Sequence, residues 1–217
     1  MLDMRPQSRR WIPLLSLVLA LVAQRAPAGG DLFEEIYRRG QPIQDSLKTI
    51  KADFTEETTS RLLTQPLVAH GTLIAVRPSD VVLLYTKPEQ KTLRLDAQTM
   101  MFLWPDRQVK ESRSIADAQK RVQRYFVDKS PQELRSHFTI AASEDKARPG
   151  TYRLDMIPKR KQIQQGLERL ELWLRQDTLM LSAMRMTFPG GDTKLMTFDR
   201  VRVNEPVAPG EMPSIKP

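Results

Sequence analysis

The chain has 217 residues, no cysteine and a formal net charge of +8, with 40% hydrophobic and 28% charged residues. The missing cysteines exclude disulfides, cysteine-ligated metals and the lipid-bearing cysteine of a bacterial lipoprotein. The charge surplus fits solubility as well as attraction to anionic head groups, and the sequence carries no recognisable nucleic-acid-binding module.

Arg5, Arg9 and Arg10 precede an uncharged apolar run from Trp11 to Ala23 and then Ala26-Pro27-Ala28. This order is that of a secretory signal peptide over 1–28, cleaved after Ala28. The apolar run falls well short of the roughly 20 residues of a spanning helix. Ser8-Arg9-Arg10 leaves general and twin-arginine export both open. Cleavage removes Arg5, Arg9, Arg10 and Arg25 together with Asp3, which takes the net charge from +8 to about +5. About 190 residues remain, enough for one domain (29–205) with a sizeable core and too few for two of ordinary size.

From Asp31 to Ile50 apolar residues recur at helical spacing, with Gly40-Gln41-Pro42 as a possible break. Ala52–Thr59 reads as a first strand, 62–66 as a loop and Val68–Val76 as the next strand. Strands follow at Val81–Thr86, Thr92–Leu95, Met100–Trp104 and Gln108–Arg113. Both faces of Val81–Tyr85 are apolar, so that strand is expected to be covered on both sides. Between Ser114 and Ser136 the period changes to that of helices. Ser114 reads as one N-cap, and Ser130-Pro131-Gln132-Glu133 is a second start signal. Strands resume at His137–Ala142, Tyr152–Ile157, Leu167–Arg175, Met180–Phe188 and Lys194–Val203, and a Pro-rich tail, expected to be loosely ordered, spans 206–217. Turns about 8 to 15 residues apart suit an antiparallel barrel or curved sheet, in an α+β, mainly β, fold class.

The punctuation of the central meander is specific: Arg77-Pro78, Tyr85, Pro88, the Asp96-Ala97 turn and Pro105. It resembles the outer-membrane lipoprotein carrier (LolA) family, which has these signals in this order. The chain departs from the pattern at Ala97, where the family turn has Gly, and at Val81 and Leu83, where it favours aromatics. The resemblance implies an open, curved antiparallel half-barrel, closed by an N-terminal helix and by short lid helices over its mouth. It also implies that Arg77 latches the lid through backbone carbonyls, a task for which the five donors of a guanidinium suit it better than lysine.

No catalytic or metal-binding pattern competes. His70 and His137 are the only histidines, and neither lies near a sequence motif for nucleophilic catalysis. Glu34-Glu35 and Glu56-Glu57 are adjacent pairs whose members point in different directions, so they read as solvated carboxylates. Two isolated histidines supply no ligand cluster, and no cofactor is expected. Lys159-Arg160-Lys161 reads as a solvated loop, with contact to lipid head groups or to a partner as the sharper alternatives. The ten methionines are core filler one by one, but adaptable cavity lining when taken with export and lid helices.

The expected lipid cavity is therefore lined by Val81, Leu83, Tyr85, Leu93, Leu95, Phe102 and Trp104 of the meander with Leu172, Met184 and Met186 of the late strands. Ile115, Val122, Phe126 and Leu134 form the expected lid face. The implied function is non-catalytic: a monomeric periplasmic carrier of lipoprotein acyl chains or another lipid, from the inner to the outer membrane. Its implied partners are an inner-membrane ATP-driven releasing complex and an outer-membrane acceptor. A periplasmic lipid- or lipoprotein-sensing regulator is the alternative reading, and a lipid-modifying esterase is disfavoured by the missing constellation.

Overall fold

The structure is a computed structural model that describes residues 31–125 and 129–212. The expected signal peptide with its cleavage point at Ala28, the Phe126 lid position and residues 213–217 of the tail lie outside the described residues, as does the Val122 side chain.

The first element is a helix, α1 (Leu32–Ser46), capped by Asp31, whose side chain accepts a hydrogen bond from the Phe33 N–H at 3.0 Å. Pro42 lies inside this helix and does not break it. A proline there removes one backbone hydrogen bond and costs about 3 kcal/mol, while Phe33 and Ile36 are buried to 3% exposure in the main core and hold the segment down. The helix ends before Leu47, so Ile50 belongs to the first strand and not to the helix.

Six strands follow as a meander: β1 (Thr49–Thr59), β2 (Leu67–Val76), β3 (Asp80–Lys87), β4 (Lys91–Leu95), β5 (Thr99–Trp104) and β6 (Val109–Ser114). Helices α2 (Ala116–Tyr125) and α3 (Pro131–His137) come next, then β7 (Phe138–Glu144), β8 (Thr151–Pro158), the single turn α4 (Lys161–Gln164), β9 (Arg169–Arg175), β10 (Leu181–Thr187) and β11 (Thr193–Val203). Ser114 closes β6 rather than capping α2 directly, and its Oγ accepts from the Ala116 N–H at 3.5 Å. The α4 turn replaces an expected loop because Ile163 is buried, a signal too isolated to show periodicity.

All eleven strands form one antiparallel sheet in the order β6-β5-β4-β3-β2-β1-β11-β10-β9-β8-β7. The curved sheet is not closed, since β6 and β7 are its two edges. Those edges are consecutive strands in the chain, so the segment between them must travel from one edge to the other. Its helices α2 and α3 are therefore the elements that cross the open side. Register shifts at Lys51/Asp53, His70/Gly71 and Leu181/Ala183 mark bulges, the devices that bend such sheets.

One close approach fixes the bend at β2. A Cβ on Gly71 would lie 2.1 Å from the Leu84 carbonyl oxygen and 2.8 Å from the Phe54 ring. Only glycine lets the Phe54 ring lie across the strand and meet Tyr85 edge-on, with ring centroids 5.0 Å apart. On β3, Val82 is fully buried while Leu83 and Tyr85 are buried on the opposite face, as the doubly apolar pattern predicts. The tail does not run free as far as its described end: the Glu211 carboxylate accepts from Lys51 Nζ at 2.8 Å, and that bond first of all holds its pKa below the usual range.

Candidate functional site: an apolar cavity under the helices

Strand register sorts the side chains into two faces. The pairs Leu154↔Leu172, Leu172↔Met184, Met184↔Met196 and Met196↔Glu56 run across one face, which continues through Gly71↔Tyr85, Leu83↔Leu93 and Leu93↔Phe102. All ten expected cavity residues belong to this face, because Val81, Leu95, Trp104 and Met186 are two residues from members of it. It is the face on which α1 and α3 pack, through Phe33, Ile36 and Leu134.

A cavity of about 810 Å³ lies between α1, the start of α3 and strands β8 and β9. That size is within the roughly 300–1,000 Å³ of small-molecule sites. Its floor is Leu154, Met156, Leu170, Leu172 and Leu174, supplied by the period-two alternation of β8 and β9. Phe33, Ile36, Tyr37 and Leu134 form the roof, and Gln41, Gln44, Asp45, Arg77, Lys129 and Glu133 add polar groups to the lining.

Of the expected residues, Leu172, Leu134 and Arg77 line this cavity. Met184 and Met186 pack against the core beneath it. Leu83, Tyr85 and Leu93 join a second cluster around Phe54 and Met196, which Met184 also touches. Val81 lines a smaller recess of about 120 Å³ that shares Arg77. Leu95, Phe102 and Trp104 are part-exposed, the last two stacked on each other at 5.5 Å. Ile115 leads into α2 and donates its N–H to the Gln98 carbonyl at 2.7 Å. The roof residues of α1 and the floor residues Leu154, Met156, Leu170 and Leu174 of β8 and β9 were missed, although both the helical stripe and the alternation were legible in the chain.

The roof is held by a few polar contacts. The Tyr37 hydroxyl donates to the Lys129 carbonyl at 2.7 Å, Arg135 pairs with Asp31, and Arg39 donates to the Gln176 carbonyl at 3.3 Å. Helix α3 begins with the predicted capping box, Ser130 and Glu133 satisfying each other's backbone. Those bonds, the backbone one first, hold the Glu133 carboxyl below the usual carboxylate range. At the other end of α3, burial pushes His137 down, with Arg160 and Lys129 acting in the same direction. The Arg77 backbone N–H donates to the Lys48 carbonyl at 3.0 Å, and among the described residues its side chain makes no hydrogen bond to the lid helices.

A buried polar group interrupts the apolar face between the two clusters. Glu56 accepts from the Tyr85 hydroxyl at 2.8 Å and from Lys194 Nζ at 2.9 Å. Burial, followed by the Glu56 charge, raises the Tyr85 pKa strongly. Across β8–β10 the opposite face carries charge: Trp173 is buried beneath the guanidinium groups of Arg148 at 4.8 Å and Arg185 at 5.4 Å. No group of three or more metal-ligating side chains occurs among the described residues, and no described helix is long and apolar enough to cross a membrane. Among the described residues His70 meets Thr55 and His137 meets Ser136 and Tyr125, and neither contact forms a nucleophile–base–carboxylate chain.

An open antiparallel half-barrel with an apolar cavity under two helices packed on its inner face defines the architectural class. The family described as outer membrane lipoprotein carrier protein LolA matches residues 45–211, and the chain belongs to that family. It is 25% identical over 193 residues to the outer-membrane lipoprotein carrier protein of Cupriavidus taiwanensis, covering 88% of this chain and 86% of that protein. The carrier protein of Cupriavidus necator matches to the same extent. Among solved structures, lipoprotein LppX of Mycobacterium tuberculosis shares the fold at a TM-score of 0.50 and 14% identity, with 82% of this chain and 97% of that one covered.

Proposed function

We propose that the protein is a periplasmic carrier that takes the acyl chains of a lipoprotein, or of another lipid, into the cavity under α1 and α3 and moves them from the inner to the outer membrane. The observation that carries this reading is the 810 Å³ cavity with a leucine and methionine floor and polar groups in its lining. Each methylene sheltered there gains about 0.8 kcal/mol over water, which makes a carrier necessary and the cavity sufficient as a trap. Because that energy holds cargo in, release needs partners that open or outcompete the cavity. An inner-membrane ATP-driven releasing complex for loading and an outer-membrane acceptor for unloading fit that need.

Arg77 is the proposed latch. It shares the cavity wall with Gln44 and Asp45 near the end of α1, and its guanidinium has the donors to serve several carbonyls at once. Closing the empty cavity would satisfy its donors, and cargo would have to displace them.

Mass spectrometry of lipid co-purifying with the exported protein tests the reading directly. Acylated species in stoichiometric amount are expected, together with saturable binding of an environment-sensitive hydrophobic dye that acyl lipid displaces. Dye binding no better than that of an unrelated soluble domain would overturn it.

A further inference from the structure

The antiparallel register sends alternate turns to opposite rims of the sheet. The β1–β2, β3–β4, β5–β6, β8–β9 and β10–β11 connections share one rim, and the β2–β3, β4–β5, β7–β8 and β9–β10 connections share the other. Large apolar side chains left exposed are unevenly divided between them. Among the described residues Leu62, Leu63, Leu67, Val68, Val109 and Ile157 are all on the first rim, and only Val203 is near the second. Leu62, at the tip of the β1–β2 hairpin, is 93% exposed. Single exposed leucines need no explanation, but six of seven on one rim form a pattern.

The same rim carries cations. Arg61 flanks the hairpin leucines, Lys87 borders the β3–β4 turn, and Lys159, Arg160 and Lys161 lie together between β8 and β9, all exposed. Acidic groups on this rim are fewer than its cations: Glu89 pairs with Arg107, Asp192 accepts from the Arg61 N–H at 3.4 Å, and Asp106 and Glu168 are exposed. The opposite rim mixes Asp96, Asp177 and Glu205 with its cations and lacks the leucines. Exposed apolar tips on the same rim as long cationic side chains match the chemistry of an anionic bilayer, with acyl chains beneath its phosphates.

We propose that this rim is a bilayer-docking edge: Leu62 and Leu63 enter the interface of an anionic membrane while Arg61, Lys87 and residues 159–161 rest on its phosphates. A protein partner would bury leucines equally well. The spread of exposed cations across separate turns favours a flat anionic surface over one complementary patch, although Lys159 Nζ also donates to the Arg135 carbonyl at 2.8 Å.

The test is co-sedimentation of the exported protein with vesicles of phosphatidylcholine alone or mixed with phosphatidylglycerol. Association is expected with the anionic vesicles only, and high salt should release it. Replacing Leu62→Ser and Leu63→Ser together should weaken partitioning at least about tenfold. Neutralising Lys159, Arg160 and Lys161 to serine should weaken it by roughly a hundredfold. Val203→Ser on the far rim should change nothing, and Leu62→Trp should show a blue-shifted emission quenched by brominated lipid. Absence of vesicle binding, or binding indifferent to both sets of rim changes, overturns the proposal. So does vesicle binding that stays at the wild-type level in Leu62→Ser/Leu63→Ser while lipid handover to an acceptor protein fails, which would assign the rim to a protein. Dye binding by the cavity should be unaltered in every rim variant, so failure of the rim and failure of the carrier reading are separable.

Discussion

The two halves of the apolar face differ in one respect that decides their use. Both β8–β10 and β3–β5 present leucine, methionine and aromatic side chains to the same side of the sheet, with the same period of two. Under α1 and α3 the first half encloses a cavity of about 810 Å³. The second half packs on itself, with Phe54 laid over Gly71 and against Tyr85, and leaves Phe102 and Trp104 part-exposed. A face becomes a site only where something spans it without filling it. The helices supply that span because they are tied at their ends, by Tyr37 to Lys129 and by Asp31 to Arg135, while polar residues line part of the gap.

The largest effect is expected where the unroofed half depends on a missing Cβ. Gly71→Ala drives a methyl group into the Leu84 carbonyl, which is backbone and cannot rotate away. Overpacking of this kind costs about 3 kcal/mol or more, visible as a fall of about 6 °C or more in thermal unfolding. An unchanged melting temperature would mean that the second cluster yields freely and is no core.

The comparison between halves is sharpest in binding. Leu172→Glu places a carboxylate on the cavity floor, where burial penalises charge, and should weaken displaceable dye binding at least about tenfold. Leu93→Glu on the unroofed half should leave the affinity within about twofold, since Leu93 lies in the second cluster. Equal loss in both variants would extend the acyl site across the sheet to the meander residues.

Arg77→Leu tests the moving part. Removing a charged donor from a closed state costs roughly 1.5–3 kcal/mol per hydrogen bond, enough to shift an open–closed balance tenfold. Lipid should load faster and hand over more slowly. Thermal stability should hold within about 0.5 kcal/mol, because here the side chain lines the cavity wall without a hydrogen bond to the lid helices among the described residues. Handover at the wild-type rate would leave Arg77 as a wall residue.

Much of this architecture was readable along the chain. The strands fall within a few residues of their expected positions because alternation and Pro-bounded turns mark them, and the Ser130–Glu133 capping box forms as written. Within each half the face was also legible, since parity puts Val81 with Leu83 in the meander and Met184 with Met186 in the late strands. Which part of that face is roofed was not. The decision belongs to the pairing of β1 with β11, a contact between opposite ends of the chain, which sets the two sheet halves side by side and gives α1 a floor of β8 and β9 leucines. No local period encodes that pairing. Pro42 misled for a similar reason, since the burial that keeps α1 intact is tertiary.

The smallest expected effect concerns pH and the roof's own stability. Helix α3 carries a titrating group at each end. His137 lies edge-on to Tyr125 of α2 at 5.1 Å, and burial first, then Arg160 and Lys129, lower its pKa, while Glu133 opposes them. A histidine with a lowered folded pKa stabilises the fold above its unfolded value of about 6.5, and that contribution fades as pH falls below it. Glu133, lowered mainly by the Ser130 backbone bond, contributes above its unfolded value of about 4.3 and loses that contribution only as pH falls through its own folded value. Acidification should therefore loosen α3 in two steps, the junction with α2 first and the capping box second, while the sheet stays folded. Amide hydrogen exchange at Leu134 should rise in both windows once intrinsic rates are removed. His137→Phe should abolish the upper step and Ser130→Ala the lower one, the latter at a cost of about 1 kcal/mol to the helix. A single transition shared by α3 and the sheet would show that the roof is part of the core and does not open independently.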